Sequence, residues 1–341
     1  MALHELLWVG GVALVVAAAA AGLARLLAVR LGFLDRPGTE AHKQQTRAVP
    51  YGGGFAMAIG LGVALACCDA AIFTRQFIAL LAGGAALLAV GAWDDRRALT
   101  ARVKLVVQGL VAVAVVAAGD LRIDVVHQVL PGAGHAAACL WLIAVTNAYN
   151  LIDHADGISG TVGIISALTL AAGAVLGGST VAALPWAALA GALAGFWCWN
   201  RPPAAIYLGD AGSMPLGFLL GGGALMVDAW HPSAASPLAL LAPLLVVAIP
   251  LFDSMVVVIK RLRRGRPIMR GDRNHISHRL GRLGLGPWAT MLTIGALHLA
   301  LAAGALQLQT ATLIDGLTTL VQAMGVMVAV LLLETMRDDG V

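Results

Sequence analysis

The sequence predicts an all-α, polytopic membrane protein, and three observations carry that prediction. Apolar residues make up 60% of the 341 and charged residues only 12%, where soluble domains carry ~25% charged residues. Mean hydropathy is +0.86, so lipid is the main solvent of the folded chain. The apolar residues also fall into about eleven stretches, comparable in length to the ~20 residues that cross a bilayer as a helix, with short polar loops between them.

The first stretch, 6–29, begins after His4 and Glu5 instead of a basic segment. Its apolar run is too long for a signal peptide, so despite the small residues at 17–21 it reads as a retained anchor. The second, 53–70, follows Gly52, Gly53 and Gly54, which allow close approach either of a ligand or of a neighbouring helix. The third, 77–93, runs into Asp94 and Asp95, and the fourth is 103–119. The fifth, 134–149, runs into the polar segment 147–157, and 159–177 and 181–199 follow as the sixth and seventh. The eighth, 214–229, is introduced by Gly209, Asp210 and Gly212, with Ser213 as N-cap and Pro215 in the first turn. The ninth, 237–258, contains the helix-kinking Pro250 and an interior acid, Asp253. The last two are 287–306 and 314–335, and no soluble domain or linker interrupts 1–341, which reads as one integral-membrane domain.

Orientation follows from the basic residues. With the N-terminus outside, 19 of the 22 Lys and Arg residues lie in the odd-numbered loops, at the helix ends Arg30 and Lys104 or in the C-terminal tail. The even-numbered loops hold only Arg75 and Arg122, and Arg25 is within snorkelling reach of the basic side. The positive-inside rule therefore predicts a periplasmic N-terminus, a cytoplasmic C-terminus and every polar cluster on the cytoplasmic face. Cys67, Cys68, Cys139 and Cys198 have no metal-ligand spacing and read as small buried hydrophobes.

The clusters themselves carry the chemistry. Adjacent carboxylates at a membrane boundary need a compensating cation. Arg96 and Arg97 offer the bland compensation of a salt-bridged helix end. On a helix, however, Asp94 and Asp95 point ~100° apart, so one can reach a metal while the other faces a second substrate. Asn147, Asn150, Asp153 and Asp156 recur every three residues and, if the fifth helix continues, form one slowly turning polar stripe facing protein or a water-filled cavity. A purely structural polar network is the competing reading. Asp210 in its glycine-flanked turn before a helix start suits a divalent ion and phosphates, or else simply caps its own turn. The loop 260–282 holds nine basic residues together with His275 and His278. His275, His278 and Arg279 share a helix face. No third ligand for zinc is near and a flanking Arg repels a metal, so these residues read as a phosphate-binding group. Ser277 lies off that face and is predicted to tolerate replacement by His. Lys43 and Arg47 in the first polar loop are either phosphate contacts or ordinary positive-inside anchors.

These parts suit metal-assisted phosphoryl transfer between a lipid-bound and a soluble substrate. Four ordered segments then resemble one family, the polyprenyl-phosphate N-acetylhexosamine-1-phosphate transferases, which include the phospho-N-acetylmuramoyl-pentapeptide transferase of peptidoglycan synthesis. They are Asp94-Asp95 with Lys104; Asn147-x-x-Asn150-Leu-Ile-Asp153-x-x-Asp156-Gly157; Gly209-Asp210-Ala211-Gly212-Ser213-x-x-Leu216-Gly217; and Asp272-Arg273-x-His275-x-x-His278-Arg279. The resemblance implies transfer of a sugar 1-phosphate from a UDP-N-acetylhexosamine to undecaprenyl phosphate in the bacterial inner membrane, with Mg²⁺, or Mn²⁺ in its place, and release of UMP. It implies that Asp94, Asp95 and Asp210 are catalytic, with Asp210 and Asp95 at the metal. Lys43, Lys104, Asn147, Asn150, Asp153, Asp156, His275, His278 and Arg279 would bind substrate. Asp94 would orient or deprotonate the lipid phosphate for direct attack.

The peptidoglycan enzymes resembled here have three consecutive histidines. The His275-Ile-Ser-His278-Arg279 pattern is closer to the branch that serves O-antigen or another surface glycan. His154 stands where relatives usually have Gly, and Gln45 near a position where many have His. The partners expected are undecaprenyl phosphate, the UDP-sugar, membrane lipids and, in a compatible assembly, a second copy; nucleic acid is not among them. A secondary transporter would place its polar residues near the bilayer midplane, and an intramembrane aspartyl protease would need a partner at matching depth for Asp210; neither pattern is found.

Overall fold

The structure, a computed structural model, describes residues 2–35, 47–230, 237–265, 275–310 and 312–335. The helices are α1 (Ala2–Leu31), α2 (Gly53–Ala66), α3 (Arg75–Asp94), α4 (Ala101–Gly119), α5 (Asp124–Val129), α6 (Ala133–Ile152) and α7 (Ile158–Leu176). They continue as α8 (Thr180–Asn200), α9 (Asp210–Trp230), α10 (Ala242–Val246), α11 (Ala248–Arg263), α12 (Ile276–Arg282), α13 (Pro287–Thr310) and α14 (Leu313–Thr335). Among the described residues the only sheet is a two-residue antiparallel pair, β1 (Leu34–Asp35) with β2 (Val49–Pro50).

Each apolar stretch of the sequence corresponds to a helix or a broken helix. Among the described residues eight helices are long and apolar enough to cross a bilayer, and the bent pair α10–α11 makes up to nine. The second stretch is shorter than expected, because α2 ends at 14 residues. The ninth is broken: residues 238–246 and 248–263 meet at 79°. Breaking a helix inside a membrane frees backbone groups that must find partners. Here the Ser166 hydroxyl donates to the Val246 carbonyl at 2.7 Å, and the same oxygen meets the Tyr149 hydroxyl at 2.7 Å and His298 Nε2 at 2.9 Å.

The centre of the bundle is α9. Every residue from 211 to 224 is buried, as expected of a helix that is apolar all round, and α2, α3, α6 and α7 enclose it. Small residues permit that enclosure. A methyl group on Gly54 would lie 2.4 Å from the Gly212 nitrogen, and one on Gly91 would lie 2.2 Å from the Asp210 carbonyl oxygen. The glycines after Tyr51 therefore serve close helix packing. Gly53 and Gly54 also donate backbone hydrogen bonds to the Tyr207 and Leu208 carbonyls, at 2.9 and 3.0 Å. In α1 the buried stripe Ala13, Ala17 and Ala21 belongs to the same core, with Gly60 and Gly195 packed on Ala17.

Two expectations are corrected. Cys67 and Cys198 are exposed and Cys68 and Cys139 half-buried, with no disulfide among the described residues; a thiol on an outward helix face meets lipid as readily as it meets a core. The polar stripe is shorter than predicted. α6 ends at Ile152, Asp153 forms its C-cap, and Gly157 takes φ +74°, so Asp153 and Asp156 leave the helix and only Asn147 and Asn150 share its face.

Candidate active site

Lys104 is the hub of the carboxylate cluster. It lies on the first turn of α4, whose N-cap Thr100 accepts the Val103 N–H. Its Nζ donates to Asp94 Oδ2 at 2.8 Å and to Asp210 Oδ2 at 2.6 Å, joining the end of α3 to the start of α9. The remaining oxygens are also engaged. Asp94 Oδ1 accepts the Leu99 N–H at 2.6 Å, and Asp210 Oδ1 accepts Asn150 Nδ2 at 2.9 Å. Asn150 also reaches Ser213 Oγ at 2.9 Å.

Asp95 faces a different way from Asp94, as the helical rotation predicts. Its two oxygens accept the backbone N–H groups of Asp210 and Ala211, at 2.8 and 3.1 Å. It thus caps α9 from another helix, and Ser213 is not the N-cap: α9 starts three residues earlier, at Asp210, and Ser213 lies inside its first turn. Gly209 makes that start possible. It has φ +71°, and a methyl group there would lie 2.5 Å from Asp95 Oδ2. Burial, then the negative charge of Asp210, pushes the Asp95 carboxyl up to about 7.

Of the other predicted residues, Asn147 donates to Gln108 Oε1 at 2.6 Å and to the Ile143 carbonyl at 2.8 Å, one turn deeper than Asn150. Asp153 pairs with the Ser159 hydroxyl. Burial, with Asp210, Asp95 and Asp156 adding negative charge, holds the Asp153 carboxyl well above the usual range. Asp156 Oδ2 accepts the Ala204 N–H at 2.8 Å, and Arg47 donates to the Ala204 carbonyl at 2.6 Å, so Arg47 is built into the loop wall. Lys43, Gln45, Asp272 and Arg273 lie outside the described residues.

A second cluster adjoins the first through residue 154. The His154 ring lies 4.5 Å from the His275 ring and 4.9 Å from the His278 ring, centroid to centroid. His154 Nδ1 lies 2.7 Å from the Leu151 carbonyl and therefore carries the proton, leaving Nε2 to accept from the Ser277 hydroxyl. Burial, then the neighbouring His275, holds His154 down to about 3, so it stays neutral at physiological pH. Both of its nitrogens are taken by protein, which makes it a spacer between His275 and His278. Ser277 is buried and faces His154, so the helix-face expectation that it lies clear of the site is corrected. Arg279 is buried as well. Sequence spacing has no means of finding the contact between His154 and Ser277, 123 residues apart.

Do these groups suit a divalent cation? Among the described residues no three His, Cys, Asp or Glu side chains converge on one position. Mg²⁺ needs fewer: one or two carboxylates, with phosphates and water completing the shell. Asp94 and Asp210 already direct an oxygen each at one cation, the Lys104 ammonium. Asp210, with phosphates and water completing the shell, meets that requirement for a Mg²⁺–diphosphate.

Comparison with known proteins agrees with the geometry. The sequence profile of glycosyl transferase family 4 matches residues 77–228, which contain every member of the carboxylate cluster. The chain is 28% identical to the probable undecaprenyl-phosphate N-acetylglucosaminyl 1-phosphate transferase of Bacillus subtilis, over 85% of this chain and 81% of that one. It is 32% identical to the decaprenyl-phosphate N-acetylglucosaminephosphotransferase of Mycolicibacterium smegmatis, over 83% and 77%. It is 27% identical to the undecaprenyl-phosphate alpha-N-acetylglucosaminyl 1-phosphate transferase of Yersinia pestis, over 77% and 73%.

Proposed function

The chain belongs to glycosyl transferase family 4, and on that premise we propose that it transfers N-acetylhexosamine 1-phosphate from a UDP-sugar to undecaprenyl phosphate, releasing UMP. The observation that carries the reading is the Lys104 ammonium held between Asp94 and Asp210 at the capped start of α9, beside the imidazole cluster. The names of the relatives make UDP-N-acetylglucosamine the first donor to test. The reaction serves as the first membrane step of O-antigen or another surface polysaccharide.

In this reaction an oxygen of the lipid phosphate bonds to the sugar-linked phosphorus. The bridging P–O bond to the uridine-linked phosphate breaks, and the electron pair leaves on UMP. Phosphoryl transfer asks a protein mainly for positioning and charge stabilisation. Asp210, its backbone N–H gripped by Asp95, would hold Mg²⁺, which would supply Lewis-acid neutralisation of the diphosphate. Lys104 trades a carboxylate for a phosphate oxygen as substrate enters. Asp94 then orients the lipid phosphate, which is already a competent nucleophile. Asn150 steadies Asp210 and meets the nucleotide side of the donor together with Asp153 and Asp156. His275, His278 and Arg279 receive the sugar diphosphate.

The same reading carries eleven spans, counting α2, α9 and the broken pair, with the N-terminus periplasmic and the site at the cytoplasmic face of the inner membrane. The distribution of basic residues supports that path. The test is UMP release by purified protein with undecaprenyl phosphate and Mg²⁺, across UDP-N-acetylhexosamines and UDP-MurNAc-pentapeptide. Lipid- and Mg²⁺-dependent UMP from one hexosamine is expected. Release from the pentapeptide donor alone moves the chain to the peptidoglycan branch, and no release from any donor by folded protein overturns the proposal.

A further inference from the structure

Asp253 is a buried carboxylate that the mechanism above leaves unused. It is 1% exposed, on α11, one turn beyond Pro250, and an unpaired charge at that depth is not tolerated. Its partners come from the far side of the basic loop. Oδ1 accepts the Ile276 N–H at 2.7 Å, and Oδ2 lies 2.7 Å from His275 Nδ1.

That geometry fixes two things at once. The Ile276 N–H is the first of the helix α12, whose N-cap residue His275 makes no capping bond with its own side chain, so Asp253 supplies the cap from another helix. A carboxylate only accepts, so Nδ1 of His275 carries the proton and Nε2 is the ring's other polar atom. No described residue takes Nε2. His154, against the ring face, has both nitrogens committed elsewhere and adds no competing partner. Fixing an imidazole tautomer by a carboxylate on its far nitrogen is a recurrent device, and a wrong tautomer is costly even where geometry survives.

We infer that Asp253 is a positioning residue: it locks His275 in the Nδ1–H form and anchors the start of α12, so that Nε2 of His275 is presented to the donor diphosphate. The part about the diphosphate rests on the proposed transferase reaction, whereas the tautomer lock does not.

The experiment therefore has two arms. In the first, the substrate-free protein is labelled with ¹⁵N-histidine, and the His275 ring is assigned by its loss in His275→Gln. The neutral ring is expected to carry its proton on Nδ1, with Nε2 bare. A neutral ring protonated on Nε2 in the wild-type protein overturns the inference, whether or not any activity has been found and whether or not Asp253→Asn folds. In the second arm, Asp253→Asn keeps an acceptor for Ile276 but is expected to lower kcat by about 10–100-fold, the usual cost of losing such a support. The same change in a His275→Gln background is expected to cost less than about twofold, since the two residues act as a unit. Equal losses in both backgrounds show that Asp253 acts on the fold and not through His275, and refute the inference. A correct tautomer without UMP release from any donor sinks the transferase reading and leaves the lock standing.

Discussion

Asp210→Asn separates charge from shape at the centre of the carboxylate cluster. The amide is nearly isosteric and keeps an oxygen for Asn150, 2.9 Å away, and the backbone N–H held by Asp95 is unchanged. What is lost is the charge facing Lys104 at 2.6 Å. Opposite charges 4 Å apart attract by about 4 kcal/mol at an effective dielectric of ~20, and a shorter pair by more. Lys104 nevertheless keeps Asp94 at 2.8 Å, and water reaches both side chains of the broken pair, which are 23% and 22% exposed. The net stability cost is therefore about 1–3 kcal/mol, the range for losing a charged hydrogen bond. The rate should suffer differently. A carboxylate that stabilises transition-state charge through a metal is worth about 10²-fold or more, which is about 2.7 kcal/mol of barrier. UMP release measured alongside thermal melting in detergent distinguishes the two. Turnover is expected to drop by about two orders of magnitude or more with only a modest fall in Tm, and near-normal turnover by the folded variant removes Asp210 from the chemistry.

Substitutions at three other positions probe the surroundings. Ser277→Ala leaves Nε2 of the half-buried His154 without its donor and should cost about 1 kcal/mol on unfolding, while Ser277→His, which the helix-face argument tolerates, should abolish turnover because the added ring meets His154; wild-type activity in the latter refutes the packing. Gly209→Ala combines a left-handed φ of +71° with a methyl 2.5 Å from Asp95 Oδ2, so it should yield a protein with lost activity and lowered Tm, and a silent substitution there would mean that α9 starts elsewhere. Asp95 has a folded-state pKa raised from 3.8 to about 7, so the folded state binds more protons than the unfolded between those values, and stability contributed by Asp95 falls as pH rises through that window; melting curves of wild type and Asp95→Asn across it should show a shallower slope in the variant.

Much of this is legible in the sequence, for reasons that differ by feature. Helices are readable because lipid admits only helices and closed barrels and a barrel strand needs just ~10 residues, so long apolar runs locate α1, α3, α4, α6 to α9, α13 and α14. The carboxylate cluster is readable because charge at a membrane boundary needs a cause: Asp94, Lys104, Asn150 and Asp210 each stand out in the sequence, and they meet. What escapes are the contacts between segments distant in the chain. Asp95 as the cap of α9, the Ser277 partner of His154 and the His275 partner of Asp253 each join residues more than 20 positions apart, and no local period reports them. The end of α6 escapes for another reason. The every-third-residue pattern of 147–156 continues as if helical, but the helix ends at Ile152 and the chain turns through 153–156 before Gly157, with φ +74°, caps α7, so the polar pattern outruns the helix.

The break between α10 and α11 joins these two levels, and Ser166 tests the connection. Its hydroxyl proton goes to the Val246 carbonyl, since a carbonyl can only accept, so Tyr149 O–H and His298 Nε2–H must both donate to the Ser166 oxygen. One side chain thus satisfies three groups that are fully or almost fully buried. Single hydrogen bonds between membrane helices are worth only about 0.6 kcal/mol on average, but Ser166→Ala orphans three groups together, for an expected loss of about 2–4 kcal/mol when each unsatisfied group costs ~1 kcal/mol or more. The consequence should extend beyond stability. α11 leaves that break carrying Asp253, which holds His275 and the first turn of α12, so loosening the break should degrade the placement of His275 although Ser166 touches no substrate. Ser166→Ala should therefore lower both Tm and kcat and broaden the His275 ring signals. A variant with lowered Tm but unchanged kcat and sharp His275 signals would show that the bend and the imidazole cluster are mechanically independent.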